Sequence, residues 1–101
     1  MKYNLNNPTL ILFHADWCGH CNRFMPTFDQ FSKAVNKKKL NIIKLNADTN
    51  SSAVKSFNVE GFPTLLLMEA KSKKFKNYNG DRTLTDLVKF VNDNARIDIT
   101  K

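Results

Sequence analysis

The sequence predicts an α/β fold in which a four-stranded mixed sheet is flanked by three helices. Two observations lead to this prediction. Short runs of consecutive apolar residues, typical of buried strands, alternate with stretches in which apolar residues recur every three or four positions, typical of amphipathic helices. Residues that favour turns separate these segments at regular intervals. The resulting order, β-α-β-α-β-β-α, is that of a sheet with helices on both faces.

The first strand and the first helix are the clearest elements. Residues Thr9–Ala15 (TLILFHA) form a continuous apolar run behind Pro8, which is typical of a strand buried on both faces. Apolar residues at helical spacing follow, and the stripe consists of Cys21, Phe24, Phe28, Phe31 and Val35. A run of lysines follows this helix and suits the negative end of its dipole.

Five further segments complete the order. They are strands at Leu40–Ala47, Thr64–Ala70 and Lys74–Tyr78, and helices at Ser51–Phe57 and Thr83–Asp93. The fourth strand alternates apolar and polar residues and should be buried on one side. The last helix opens with a Thr-x-x-Asp capping signal. The first two strands should be parallel, since a helix connects them, and the last two should form an antiparallel hairpin.

Length and composition predict one soluble domain over residues 1–101. The chain of 101 residues is long enough for one core, and its 42% apolar content fits a packed protein. The first ten residues are mostly polar and do not resemble a signal peptide. The longest apolar runs are far too short for a membrane span. We therefore expect no membrane association and a monomer in the compartment that made it.

The sequence is strongly basic. Lysine and arginine total 16 against nine acidic residues, for a net charge of +7. Most are lysines, with runs at Lys37–Lys39 and at Lys71, Lys73, Lys74 and Lys76. Lysine runs without arginine or interleaved aromatic residues recognise nucleic acid sequences poorly, so we expect no specific binding of nucleic acid. A solvated basic surface that attracts acidic partners weakly explains the pattern.

The segment DWCGHC carries the chain's two cysteines, three positions apart. Cys18 lies at the predicted start of the first helix, where unsatisfied amides and the dipole favour a thiolate, so it is the expected nucleophile. Cys21 begins the buried stripe and is the expected resolving partner. Gly19 should relieve crowding in the turn. A protonated His20 near Cys18 would stabilise the reduced form and make the disulfide more oxidising; alternatively, His20 is a surface residue without a role.

Other uses of the cysteines remain open. Cys18, Cys21, His14 and His20 are potential zinc ligands, although a strand and a helix start are poorly placed to form a closed site. Haem attachment requires a histidine where this chain has Asn22. A permanent structural disulfide would close a loop too short to constrain the unfolded chain much.

These residues resemble the thioredoxin superfamily, and WCGHC most resembles the active site of a protein disulfide isomerase catalytic domain. The likeness runs from residue 9 to about 95. The segments that carry it are WCGHC, Pro26 within the first helix, KLNAD (44–48), VEGFPTLLL (59–67) and YNGDRT (78–83). The resemblance implies a thioredoxin-like fold.

The resemblance also implies roles for further residues. The Phe62-Pro63 bond should be cis and face Cys18, and the Phe62 backbone should pair with an extended substrate. Trp17 should form part of an apolar platform around the sulfurs. Arg82 matches an arginine thought to lower the pKa of the second cysteine during reoxidation; alternatively, it is simply exposed after a turn.

Two departures from the family stand out. Only eight residues precede Thr9, so we expect the family's first strand and helix to be absent and one sheet edge to lose its usual partner. Leu12 occupies the position of the family's buried acid, which accepts a proton from the second cysteine. Deprotonation of Cys21 should then depend on water, Lys44 or Arg82.

The sequence thus predicts a thiol-disulfide oxidoreductase that uses Cys18 and Cys21 and needs no bound cofactor or metal. Its expected partners are protein thiols and disulfides, and a recycling partner such as glutathione or a reductase. A binding or assembly module on the same scaffold is the alternative. The net direction of electron transfer is open. His20 favours oxidation of substrate thiols, whereas the missing secretion signal favours a reducing location. We expect a cytoplasmic or virion-associated protein, since the residue usage suits an AT-rich genome.

Overall fold

The structure is a computed structural model that describes residues 6–71, 74–78 and 82–101. Three helices and four strands follow the predicted order. They are β1 (Thr9–His14), α1 (Gly19–Ala34), β2 (Asn41–Asn46), α2 (Ser51–Ser56), β3 (Thr64–Met68), β4 (Phe75–Asn77) and α3 (Leu84–Ala95). Lys73 and residues 79–81 of the YNGDRT segment lie outside the described residues. The predicted α/β architecture is confirmed, and strand ends differ from the prediction by only one or two residues.

The four strands form one mixed sheet in the order β2-β1-β3-β4. Strands β1 and β2 are parallel, as predicted, and β3 runs antiparallel to both β1 and β4. Phe13, near the end of β1, pairs with Thr64 at the start of β3. The loop after β1, which carries the cysteines, therefore adjoins the loop that precedes β3.

Helices cover both faces of the sheet. Alternate side chains of β1 point to opposite faces, so each face contributes to a separate core cluster. Leu10 and Leu12 pack in the core cluster that contains the apolar stripe of α1 and residues of α3. Ile11 and Phe13 pack on the opposite face with residues of α2. The two-sided burial of β1 explains why its sequence is apolar without alternation.

The helix ends agree with local sequence signals. The hydroxyl of Thr83 accepts a hydrogen bond from the backbone N–H of Asp86 at 3.2 Å, which confirms the predicted cap of α3. Helix α1 continues through Pro26 and begins directly after Cys18, its N-cap residue. None of the helices in the described part of the chain is both long and apolar enough to span a membrane.

Strand β4 differs from the prediction of one buried side. All three of its residues are exposed, because β4 lies at the edge of the sheet and is only three residues long. Phe75 remains 42% exposed although its ring packs edge-on against Phe57, with 5.2 Å between the ring centroids. A partly buried aromatic contact near this edge is instead made by Tyr78, whose ring centroid lies 4.8 Å from that of Phe90.

Candidate active site

Both cysteines lie at the start of α1, in the loop that follows β1. The sulfur of Cys18 accepts a hydrogen bond from the backbone N–H of Cys21 at 3.1 Å, so a thiol takes the capping position usually held by Ser, Thr, Asn or Asp. The backbone N–H of Cys18 donates to the carbonyl of Ala15 at 3.2 Å. Both thiols are free, and their residues are 6% and 1% exposed, respectively. The first sulfur is thus the more accessible of the two.

The environment of Cys18 favours its thiolate. Burial alone raises the pKa of the Cys18 thiol. Hydrogen bonds from the thiol and backbone N–H of Cys21 lower that pKa, and so does a hydrogen bond from the backbone N–H of His20. The positive charge of Arg82 acts in the same direction, and the resulting pKa of Cys18 lies below its ordinary value.

The environment of Cys21 has the opposite effect. Burial raises the pKa of the Cys21 thiol to about 11, and its hydrogen bond to the Cys18 sulfur and the charge there add to the increase. Contacts with the backbone of Ala15 and with the charge of Arg82 lower the pKa by less. At neutral pH the site therefore holds one thiol disposed to ionise beside one that stays protonated.

The segment before β3 forms the wall opposite the cysteines. The Phe62-Pro63 peptide bond is cis, as the resemblance implied. The thiol of Cys18 donates to the carbonyl oxygen of Phe62 at 3.5 Å, and the Phe62 ring packs in the cluster that contains both cysteines. A cavity of about 570 Å³ begins beside this segment and is lined by Glu60, Pro63 and Arg82, among others.

Trp17 covers the same region from the other side. Its ring meets that of Phe62 edge-on, with 5.9 Å between the centroids, yet the residue is 68% exposed. The indole N–H donates to a carboxylate oxygen of Asp48 at 3.4 Å. Asp48 was absent from the predicted site, although it ends the KLNAD segment quoted for the resemblance. An exposed aromatic ring held at a reactive sulfur is suited to contact a protein substrate.

Arg82 lies at this site, whereas the ammonium group of Lys44 is directed elsewhere. The Arg82 guanidinium donates to the carbonyl of Pro63 at 3.5 Å, and its charge lowers the pKa of both cysteines. The ammonium of Lys44 instead lies 3.4 Å from a carboxylate oxygen of Asp29 on α1. Leu12, the register partner of Lys44, is fully buried in the core.

Gly19 and His20 occupy the first turn of α1. Outside its own turn of the helix, a Cβ atom at Gly19 would meet only the Arg23 guanidinium, at 3.9 Å, which is an ordinary contact. The side chain of His20 is exposed, and this residue acts on Cys18 through its backbone N–H. Among residues 6–71, 74–78 and 82–101, no group of three or more His, Cys, Asp or Glu side chains could hold a metal ion.

This arrangement, a pair of free cysteines at a helix start beside a cis-proline on a mixed sheet, defines a thioredoxin-like protein. A family model described as Thioredoxin matches residues 2–93. The chain belongs to the thioredoxin family.

Protein disulfide-isomerases are among its curated relatives. The chain is 36% identical over 96 residues to protein disulfide-isomerase erp38 of Neurospora crassa, a match that covers 93% of this chain and 26% of the relative. It is 33% identical over 88 residues to the protein disulfide-isomerase of Drosophila melanogaster, with coverage of 87% and 18%. The chain thus spans about a quarter or less of the length of these relatives.

Solved structures support the same assignment. The J-Trx1 fragment of ERdj5 matches with a TM-score of 0.83 and 26% identity over 93% of this chain and 46% of that one. The first thioredoxin domain of mouse protein disulfide-isomerase A4 matches with a TM-score of 0.78 and 29% identity, over 94% of this chain and 68% of that one. The described fold is therefore that of a thioredoxin domain of the protein disulfide-isomerase type.

Proposed function

We propose that this protein is a thiol-disulfide oxidoreductase that works through Cys18 and Cys21. The observation that carries the proposal is the contrast between the two thiols within one helical turn. The sulfur at the helix start has a lowered pKa, and its buried neighbour has a pKa of about 11. This pairing suits one cysteine to attack and the other to resolve.

Reduction of a substrate begins when the Cys18 thiolate attacks one sulfur of a protein disulfide. The substrate S–S bond breaks, a mixed disulfide forms, and the other substrate sulfur leaves as a thiolate that takes up a proton. Cys21 then loses its proton and attacks the Cys18 sulfur. The Cys18–Cys21 disulfide forms, the second substrate thiol is released, and two electrons have passed to the substrate. The reverse sequence oxidises a dithiol.

The surroundings of Cys18 support a protein as the substrate. The cis-proline segment, the ring of Trp17 and the cavity beside Pro63 together offer an extended surface next to the reactive sulfur. We assign substrate contacts to Trp17, Phe62 and Pro63, and adjustment of thiol acidity to Arg82 and the backbone of His20. The electrons reside in the cysteines, so the reaction itself calls for no further group.

The protein must exchange electrons with a recycling partner. Glutathione or a protein reductase would serve, and the direction of net transfer is set by the potential of that partner. We further propose that residues 1–101 act as one thioredoxin-like domain and that a monomer is sufficient, because both cysteines and the cis-proline wall come from one chain.

The reduction potential of the Cys18–Cys21 pair is the decisive measurement. The protein is equilibrated with glutathione buffers, and free thiols are trapped and counted by mass. A value near about −180 mV would place it with disulfide isomerases, and one near about −270 mV with reductants of the thioredoxin type. Failure of the pair to form a disulfide in any buffer would contradict the proposal.

Two single variants test the assigned roles. Cys18→Ser should abolish exchange with a protein disulfide. Cys21→Ser should retain the first attack and accumulate the mixed disulfide, which is visible as an added mass. A cellular function that survives Cys18→Ser would favour a binding or assembly module on the same scaffold.

A further inference from the structure

Half of the chain's 16 lysine and arginine residues lie at the end of the molecule opposite the cysteines. We call this region the basic pole; it consists of Lys37, Lys38, Lys39, Lys71, Lys74, Lys76, Arg96 and Lys101. Strand β1 separates it from the active site, and its six residues span about 20 Å. The two lysine runs are more than 30 residues apart in the sequence, so the fold brings them together.

The segment before β1 lies between the two runs. The side-chain amide of Asn7 donates to the carbonyl of Lys38 at 2.7 Å, which ties this segment to the first run. Pro8, the next residue, accepts a hydrogen bond from the backbone of Asn41 at 3.0 Å. On its other side, Pro8 lines a cavity together with Lys74 of the second run.

The C-terminal segment adds further cations to the basic pole. The side chain of Asn36 donates to the carbonyl of Lys101 at 3.0 Å, and the ammonium of Lys39 donates to the carbonyl of Asp98 at 3.1 Å. The Asp98 carboxylate lies 3.9 Å from the Lys101 ammonium and neutralises part of this charge. Glu69 is the acidic residue that lines the cavity. Cations still outnumber acids at this end of the molecule.

The cavity at the basic pole has a mixed lining. Its volume is about 560 Å³, and Lys74, Lys76 and Arg96 line it together with Leu67, Phe75 and Ala95. The Lys76 ammonium is oriented by a hydrogen bond to the side chain of Asn94 at 3.0 Å. The recess thus offers apolar surface with positive charge at its rim, rather than charge alone.

Two basic residues at this pole adopt an unusual backbone conformation. Lys71, in the turn after β3, has φ 60°, and Arg96, which ends α3, has φ 58° and ψ 38°. Glycine or asparagine usually occupies such left-handed positions, because a Cβ atom there lies too close to the backbone. Both of these left-handed positions carry a long cationic side chain at this end of the molecule.

We propose that the basic pole binds an acidic protein segment that carries an apolar side chain. The carboxylates would lie against Lys74 and Arg96, and the apolar side chain would enter the recess against Leu67. A nucleic acid backbone would leave this apolar lining unused. A membrane would need several protruding apolar side chains, whereas Phe75, which is 42% exposed and packs edge-on against Phe57, is the single large apolar side chain exposed at this pole among the described residues. The pole would thus hold an acidic partner away from the cysteines and leave the catalytic end free.

Binding of a labelled short peptide of Asp and Glu with one central Leu tests the proposal by fluorescence anisotropy. The variant Lys74→Glu/Arg96→Gly should bind the peptide about tenfold more weakly than the unchanged protein. The matched control Lys55→Glu/Lys89→Gln loses the same charge at exposed residues that do not line the cavity, and should bind within about twofold of the unchanged protein. Arg96→Gly alone should not lower the melting temperature, because glycine favours this backbone conformation.

Three results would overturn the proposal. The first is equal weakening in both double variants, which would mean that net charge alone attracts the peptide. The second is equally tight binding of a peptide with Gly in place of the central Leu. The third is binding to phosphatidylserine vesicles or single-stranded DNA without binding to the peptide. If the double variant unfolds, Lys74→Gln alone is compared with Lys55→Gln in the same assay.

Discussion

The sulfur of Cys18 lies 3.5 Å from the carbonyl oxygen of Phe62, a residue 44 positions later in the chain. As a thiol, Cys18 donates a hydrogen bond to this oxygen. As a thiolate it cannot, and it is stabilised instead by the N–H of Cys21 at 3.1 Å. The carbonyl therefore favours the protonated form and the amide the charged one. The positive charge of Arg82 adds to the stabilisation of the charged form and lowers the pKa of Cys18.

The first prediction compares two variants that each remove one positive charge. Arg82→Met should raise the pKa of both cysteines, because the Arg82 charge lowers both. Reaction of Cys18 with a thiol reagent at pH 7 should slow by about two- to fivefold. Lys44→Met should change this rate little, since the Lys44 ammonium is paired with Asp29. An equal effect of the two variants, read from the pH profile of alkylation, would show that only net charge matters.

The second prediction concerns Leu12, which is fully buried at the position that the resemblance assigns to an acid. Burial is the largest cause that raises the pKa of the Cys21 thiol, so loss of its proton is unfavourable at pH 7. Leu12→Glu should accelerate the attack of Cys21 on the mixed disulfide at neutral pH. The variant should also be less stable by about 2–4 kcal/mol, because it buries a polar group in the core.

Leu12→Gln is the matched control for this prediction, since it introduces a side chain of similar size that takes up no proton. It should lose stability as Leu12→Glu does but leave the resolution rate unchanged. Stopped-flow decay of a preformed mixed disulfide measures the rate. If Leu12→Glu resolves no faster than Leu12→Gln, the missing acid does not limit the reaction.

The order of elements could be predicted from the sequence, because the signals behind it are local. The Thr83 cap of α3 depends on residues within one turn and was predicted correctly. The position of Cys18 at the start of α1 likewise follows from the apolar stripe that begins at Cys21. Such signals depend on spacing along the chain rather than on contacts between distant segments.

Contacts between segments that are distant in the sequence were harder to predict than the order of the elements. The ion pair of Lys44 with Asp29 joins β2 to α1, and the hydrogen bond from Trp17 to Asp48 joins residues 31 positions apart. Neither partner can be chosen from spacing, since many exposed carboxylates are equivalent in the sequence. The exposure of β4 was missed because alternation shows which side chains share a face but not whether another element covers that face.

The third prediction concerns Trp17, the single tryptophan of the chain. Its ring is mostly exposed and meets Phe62 edge-on beside the cysteines. Trp17→Ala should weaken binding of an extended peptide to a Cys18→Ser protein by about two- to tenfold, since an aromatic contact contributes about 0.5–1.5 kcal/mol. Trp17→Phe should recover most of this affinity. Calorimetric titration measures it, and equal affinity in all three proteins would exclude the ring from the substrate surface.

The fourth prediction concerns how the stability of the reduced protein depends on pH. The difference in free energy of unfolding between the reduced protein and the variant Cys18→Ser/Cys21→Ser should be largest near pH 9. The pKa of Cys18 is lower in the folded protein than its ordinary value of 9.0. Its contribution is therefore present above pH 9 and is lost as the pH falls through the folded-state pKa.

Cys21 acts in the opposite direction. Its folded-state pKa of about 11 exceeds its ordinary value of 9.0, so its contribution is present below pH 9 and is lost as the pH rises through 11. The loss should amount to about 2–3 kcal/mol. Urea unfolding under reducing conditions measures both contributions. Cys21→Ser alone should remove the fall above pH 9, and Cys18→Ser alone should remove the rise below it. If the difference in free energy of unfolding between the reduced protein and the double variant only rises or only falls from pH 6 to 11, the pKa values of the two thiols are not shifted in opposite directions.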